Sequence, residues 1–291
     1  MWSNHSMSHP VFEIVKTSSG AVSIRDKVVD EIMHNPVGPW VEANALYVDQ
    51  SHLKMKLQQI EGGELVLFDV GLGAAANALA AIACAKSLGS GRRPLRIISF
   101  EKSLEMLKFA LDHAAQFEHF RGYETVLERI LTVGQWSTDN ISWDLRSGEF
   151  LETIESESHR AHIVFFDPYS PVVNSEMWTT ACFQKVRRKS READDGGTSL
   201  YTYSQATRIR AAMLRAGFFV GYGVGTGWKG ATTEATTDRK SLTLPLDDVW
   251  YKRWQKSHIR YPFDCGSSDE PAFDSFITDY FEKSQAETSK F

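Results

Sequence analysis

Two short stretches of this sequence hold residues whose types and spacing can do chemistry. In the first, Phe68-Asp69-Val70-Gly71-Leu72-Gly73, an apolar run passes directly into a glycine pair. Glycine lacks Cβ, so a turn built on it lets backbone pass tightly beneath a ligand at the carboxyl edge of a sheet. With Ala76, the two glycines fit the G-x-G-x-x-A variant of the dinucleotide fingerprint. The pattern alone is weak, and the next apolar run strengthens it by ending in an acid, Ile98-Ser99-Phe100-Glu101. A carboxylate at that strand end can accept both hydroxyls of a ribose. The competing reading is that Glu101 caps the following helix. The second stretch, Asp167-Pro168-Tyr169, closes another apolar run. A carboxylate there can accept N–H bonds from an amine and aim its lone pair. Pro168 stiffens the turn and Tyr169 offers a face to a base, while a helix N-cap is the alternative for Asp167.

These stretches need a scaffold, and the hydrophobic rhythm supplies one. The run 65–70 is apolar apart from Asp69, as expected of a central parallel strand buried on both faces. Further strands are expected at 95–100, 141–145, 162–166, 200–203 and 218–224, with a last one near 241–244. Helical spacing falls at 74–88, 104–115, near Phe150, at 175–188 and at 206–216. Such alternation implies an α/β fold with a doubly wound, mostly parallel, Rossmann-like sheet. Upstream, residues 11–17 alternate and reach Ser18-Ser19-Gly20, which predicts a hairpin, and 39–60 has helical spacing. Residues 1–9 read as a tail and 10–265 as one domain. Residues 266–291 read as a C-terminal tail with one short amphipathic helix.

Composition narrows the function. With 42% hydrophobic and 24% charged residues, the chain can bury a full core. No apolar run is long enough to span a bilayer, and no basic leader precedes one near Met1, so a cytoplasmic location without a membrane is expected. The three cysteines are far apart and suit free thiols. A net charge of −5 does not announce a nucleic-acid binder, so RNA contact would need a local basic cluster. The histidines form no metal-ligand spacing, so no metal is expected, and neither a G-x-S-x-G elbow nor a Walker lysine motif is present. Gly225 to Gly230 repeats the glycine spacing without a following helix pattern. It reads as a loop in which Lys229 is a candidate phosphate contact.

NAD and S-adenosylmethionine both use a glycine turn with a downstream acid. The NAD acid usually lies about 20 residues past the glycines, and Glu101 lies farther on. With a second carboxylate at Asp167, S-adenosylmethionine is the better fit. An NAD-dependent oxidoreductase and a non-catalytic RNA-binding relative are the alternatives.

In sequence the chain resembles the MnmC-type methyltransferases, in stand-alone methyltransferase-domain form. These act on the 5-aminomethyl group of the wobble uridine in certain transfer RNAs. The residues that carry the resemblance run in order through most of 12–264. His34-Asn35-Pro36-Val37-Gly38-Pro39 with Glu42-Ala43 is similar to the family's "HS…GA…EA", and Leu46-Tyr47-Val48 follows. Asp69 to Asn77 is similar to its "GxGTGxN" loop. Glu101 falls on the acidic strand end, and Gly148-Glu149 on a Gly-Asp pair near the adenine. Asp167-Pro168-Tyr169-Ser170-Pro171, then Asn174 and Glu176-Met177-Trp178, resembles "DxFSPxxNPEMW", the most specific match. Thr202-Tyr203-Ser204, Arg210 and Ala216-Gly217-Phe218 resemble "TYS…VR…AGF", and Tyr261-Pro262-Phe263-Asp264 resembles "PYRD". Ala74, Ala76 and Glu149 depart from the family pattern.

The resemblance implies a class I fold with an N-terminal hairpin and helix extension. It also implies an S-adenosylmethionine-dependent N-methyltransferase acting on 5-aminomethyl(-2-thio)uridine. Cofactor contacts are then expected from Glu42, Asp69, Gly71, Gly73, Asn77, Glu101, Lys102, Gly148, Glu149 and Asp167. Asp167 and Tyr169 are the expected catalytic pair. Pro168, Ser170, Arg187, Arg188, Lys189, Lys229 and Arg239 are expected at the substrate or RNA. The flavin oxidase domain fused to some relatives has no counterpart here. A separate flavin-dependent or tRNA-modifying enzyme is therefore expected to supply the 5-aminomethyl group.

Overall fold

A computed structural model describes residues 11–33, 37–59, 63–225 and 230–288, with backbone only from 284 onward. The N-terminal extension opens with strands β1 (Phe12–Lys16), β2 (Val22–Asp26) and β3 (Glu31–Ile32), paired antiparallel in that order. The hairpin expected at 11–20 is this β1–β2 pair, and Gly20 turns it with φ +85°.

The helix expected over 39–60 is interrupted. It begins as α1 (Pro39–Glu42), continues as a π-helical segment Ala43–Asp49, and breaks at His52, which adopts φ +53°. It then resumes as α2 (Leu53–Gln58), and Ile60 lies outside the described residues. π-Helical turns often accompany functional sites, and this one carries Tyr47 toward the sheet.

The main sheet has eight strands in the order β10-β11-β9-β8-β4-β5-β7-β6. Its centre is β4 (Leu65–Val70), every residue of which is buried, as the apolar run requires. On one side β4 pairs in parallel with β5 (Leu95–Glu101), and on the other with β8 (Ile163–Phe166). The connection through α3 (Ala76–Ser87) leads one way, and β8 is followed by β9 (Ser199–Thr202) the other way. The ends of β4 and β8 therefore flank the topological switch point, where open α/β sheets bind ligands. Small side chains let α3 lie close against the sheet, and most of its alanines are fully buried.

Beyond β5 stand α4 (Glu105–Asp112), α5 (Glu124–Val133), β6 (Gln135–Ser137) and β7 (Ile141–Ser147). α5 and β6 had no counterpart in the sequence reading. The opposite face is covered by α6 (Phe150–Ser156), α7 (Thr180–Arg188) and α8 (Thr207–Arg215). The helix expected from 175 begins instead as a 3-10 turn at Ser175–Trp178, after which the Thr179 hydroxyl caps α7. Asp264, from the segment similar to "PYRD", accepts hydrogen bonds from the Thr180 and Ala181 amides at the same helix start.

The sheet's far edge corrects one expectation. After β10 (Phe219–Gly223), the final strand is β11 (Thr232–Thr236), inserted antiparallel between β9 and β10, and 241–244 forms no strand. β11 reads as polar in sequence yet is wholly buried. Its threonine hydroxyls donate to the carbonyls of Val224 and Ser204, so burial leaves them satisfied. Buried Arg210 ties α8 to this strand through Thr233 Oγ1 and the Thr232 carbonyl.

The C-terminal tail is also corrected. After α9 (Asp248–Lys256) the chain forms α10 (Glu270–Thr288), a helix of 19 residues. Phe273, Ile277 and Phe281, spaced four apart, are buried in the core. Phe281 stacks on Trp250 and Tyr251 with ring centroids 5.6 and 5.0 Å apart. The domain therefore continues past 265. Ile277→Ala is expected to cost about 2–5 kcal/mol in urea unfolding, where a dispensable tail would tolerate the change.

Candidate active site

Gly71 organises the site. It adopts φ +87°, and a Cβ placed on it would lie 2.6 Å from the Asp167 carbonyl oxygen and 3.0 Å from Pro168 Cα. Any other residue would push the β4 loop and the β8 loop apart. The register continues past the strands, with the Gly71 amide donating to the Phe100 carbonyl and the Asp167 amide to the Val70 carbonyl. Two cavities meet at this contact, sharing Met33, Gly71, Gly73, Asp167, Pro168 and Tyr169 as walls.

The first cavity, about 530 Å³, is lined by Glu101, Lys102, Met106, Glu149, Phe150 and Asn174. Glu101 does not cap α4, which starts later at Glu105. Its Oε2 accepts from the Gly73 amide at 3.1 Å and its Oε1 from the Ser103 amide at 3.0 Å. Burial raises the Glu101 pKa, and these backbone donors oppose the shift. The carboxylate lines the cavity as an acceptor, which is what a ribose diol requires. At Gly73 an added Cβ would meet only the Met106 sulfur, at 3.7 Å, so the glycine leaves the cavity floor open. Lys102 and Glu149 face each other at 2.6 Å on the exposed rim. Gly148 is not itself a wall: with φ +131° it turns the chain, its amide bonded to the Glu101 carbonyl, and presents Glu149.

The second cavity, about 340 Å³, adds Glu31, Ile32, Glu42, Asn77, Ser170 and Tyr203. Glu42 and Asn77, expected at the cofactor, line this cavity and not the first. Asn77 Nδ2 donates to Asp167 Oδ2 at 2.8 Å, while its buried Oδ1 has no hydrogen-bond partner among the described residues. The N-terminal extension closes the outer wall. Tyr169 donates its hydroxyl to Asp26 Oδ2 at 2.8 Å. Ser170 gives its amide and hydroxyl to the two oxygens of Glu31. Burial and Asp26 push the Tyr169 pKa far up, so this hydroxyl anchors the wall and does not act as a base.

Other expected residues lie elsewhere. Asp69 is fully buried within β4 beneath the site, where Ser99 donates to its Oδ2 and Trp143 Nε1 donates to Ser99 Oγ. It lines neither cavity. Arg187 and Arg188 end α7 and Lys189 caps it, next to the Ala161–Ser190 bridge at the amino-terminal edge of the sheet, opposite the site. Arg187 is paired with Glu192, Arg188 with Glu155, and Lys189 with the carbonyls of Glu155 and Glu157. Arg239 follows β11 at that same edge. Lys229 lies outside the described residues.

Asp26, Glu31 and Met33 were missed as site residues. The signal of the two acids, one on each side of the β2–β3 turn, is too common to single out without the fold. Tyr47 was noted only as part of the resemblance. Its hydroxyl is buried without a hydrogen-bond partner among the described residues, beside Asp167 and Glu42.

Residues 115–238 match the model of a family described as S-adenosyl-L-methionine-dependent methyltransferase. The chain is 27% identical over 230 residues to the tRNA 5-methylaminomethyl-2-thiouridine biosynthesis bifunctional protein MnmC of Campylobacter concisus, covering 77% of this chain and 35% of that protein. It is 24% identical to the protein of the same name in Pseudomonas putida, covering 73% of this chain and 33% of that protein. The chain thus spans about a third of the length of these curated relatives. The crystal structure of MnmC2 from Aquifex aeolicus shares the fold, with TM-score 0.70 and 22% identity over 94% of this chain and 84% of that one.

Fold and site define a class I S-adenosylmethionine-dependent methyltransferase domain. Within that class the chain is similar to the MnmC proteins over about three quarters of its length and shares the fold of MnmC2. Its own residues fit the cofactor. Gly71 lets the β4 and β8 loops meet beneath the cavity, the Glu101 carboxylate lines it, and buried Asn174 Oδ1 there has no partner among the described residues.

Two measurements test these assignments. Glu101→Gln is expected to weaken S-adenosylmethionine binding roughly 10- to 100-fold by calorimetry, with circular dichroism unchanged. Burial raises the Asp69 pKa to about 7. The folded protein therefore holds this proton more tightly than the unfolded chain. The associated stability is full below about pH 4 and is lost as pH rises through about 7, by at most about 1.4 kcal/mol per pH unit. Asp69→Asn is expected to flatten that part of the denaturation profile.

Proposed function

We propose that this domain methylates the primary amine of 5-aminomethyl(-2-thio)uridine at the wobble position of transfer RNA. The observation that carries the reading is Asp167, standing on the wall common to both cavities with its carboxylate fixed by Asn77. The cofactor, when bound, supplies an electrophilic methyl group on a sulfonium. The protein must therefore deliver a neutral, oriented nitrogen and exclude water. Asp167 accepts an N–H bond from the amine and directs the lone pair toward the first cavity. Tyr169 and Pro168 wall the reacting centre, with the Pro168 carbonyl held by the Tyr203 hydroxyl at 3.0 Å.

The acceptor assignment is supported by the names of the related proteins, which concern 5-methylaminomethyl-2-thiouridine in tRNA. Exposed Val28 lines the first cavity and exposed Val172 follows the Asp167 loop, two apolar surfaces for a nucleobase at the mouth. The basic residues at the amino-terminal edge would contact only RNA that reaches around the domain. A separate flavin-dependent or tRNA-modifying enzyme would supply the amine. A cytoplasmic enzyme suits this substrate, and no described helix is long and apolar enough to cross a membrane.

Labelled methyl transfer to tRNA carrying unmethylated 5-aminomethyl groups tests the reading. Asp167→Ala is expected to lose about a hundredfold or more in turnover while S-adenosylmethionine affinity stays within about threefold. Asp167→Asn retains more, because an amide oxygen still accepts the amine's bond. Wild-type activity in the alanine variant removes Asp167 from catalysis, and no transfer by wild type removes the acceptor.

A further inference from the structure

The methyl-transfer reading leaves a proton unaccounted for. An alkylamine arrives largely as ammonium near neutral pH and has no lone pair until it gives up one N–H. Asp167 orients the nitrogen, but its own charge favours the ammonium form. The second cavity holds two further carboxylates, Glu31 and Glu42. Glu31 already receives the amide and hydroxyl of Ser170. Glu42, at the end of α1, is buried, lines the cavity and does not line the cofactor cavity. A separate observation marks the same space as a ligand seat: Asn77, only 4% exposed, lines it with Oδ1 unpartnered among the described residues.

We propose, on the basis of the methyl-transfer reading, that Glu42 is the proton acceptor for the incoming ammonium group. Asp167 and Asn77 Oδ1 complete a three-acceptor seat around the nitrogen. One N–H bond breaks and its proton moves to a Glu42 oxygen, while the electron pair stays on nitrogen. That pair forms the new C–N bond as the sulfonium S–C bond breaks, with its electrons remaining on sulfur. The product leaves as a methylammonium, and Glu42 returns its proton to solvent once the cavity opens.

The groups facing Glu42 suit this role. Among the described residues, Tyr47 from the adjoining π-helical segment and Tyr203 after β9 interact with its charge, and Asp167 after β8 and Glu31 of β3 line the same cavity. Burial first, and then these carboxylates, hold both tyrosine hydroxyls far above their ordinary range, so neither competes for the proton.

The test is labelled methyl transfer to 5-aminomethyl-bearing tRNA, measured against pH, with cofactor binding followed in parallel by calorimetry. Glu42→Gln is expected to lower turnover about 10²- to 10⁴-fold near neutral pH. The deficit should narrow as pH rises toward the amine's own pKa, where substrate arrives neutral. S-adenosylmethionine affinity should stay within about threefold, and Glu42→Asp should recover part of the turnover. Unchanged turnover, a loss independent of pH, or a matching loss of cofactor affinity each overturns the proposal. Failure of wild type itself to transfer methyl is a different result, and removes the acceptor reading on which the proposal rests.

Discussion

The site depends on one steric fact: the backbone at Gly71 touches the backbone at Asp167 and Pro168 with no room for a side chain between them. Parallel pairing of β4 with β8 brings the strand ends together, and the missing Cβ lets their loops close the remaining distance. Everything chemical follows from that contact. It makes one wall serve two cavities, so a carboxylate on the acceptor side stands against the cofactor loop. A methyl group there at Gly71 would separate the partners, and about 1 Å of misplacement is enough to cost on the order of a hundredfold in rate.

A second dependence runs outward from the same loop. Tyr169 and Ser170 are bonded to Asp26 and Glu31, so the N-terminal hairpin is a wall of the site and not an appendage. α1 and its π-helical continuation add Glu42 and Tyr47 from the same extension. The Rossmann-like core supplies the glycine turn, Glu101 and Asp167, and the extension adds walls to both cavities, Val11, Phe12, Asp26 and Val28 to the first and Glu31, Ile32 and Glu42 to the second. One fold can in this way serve many acceptors by changing only what is built onto the sheet edge.

The core was legible in the sequence because its signals are short-range. The apolar run 65–70, the glycine pair and Glu101 lie within one β-turn-α-β unit, and their order carries the cofactor assignment. Asp167 was legible for the same reason, as an acid at a strand end. What was missed depends on partners distant in sequence. β11 escaped because buried threonines read as polar until Val224 and Ser204 are seen accepting their hydroxyls. α10 was read as a tail because its three buried aromatic and aliphatic residues are diluted by acids, and only α9 shows what they pack against. The basic cluster at 187–189 misled because charge in a sequence does not say which edge of the sheet it occupies. Glu42 and Asn77 were found, but only the fold shows which of the two adjoining cavities they line, since a resemblance gives a residue's presence more readily than the direction in which it faces.

The bond from Tyr169 to Asp26 spans 143 positions of the chain, and it has a consequence in time. The hairpin is made early in synthesis but has nothing to close against until β8 and its loop exist. Docking it is a late, long-range event, of the kind that slows folding in proteins rich in distant contacts. Both cavities wait on that docking, because Val11, Phe12, Asp26 and Val28 wall the first while Glu31 and Ile32 wall the second.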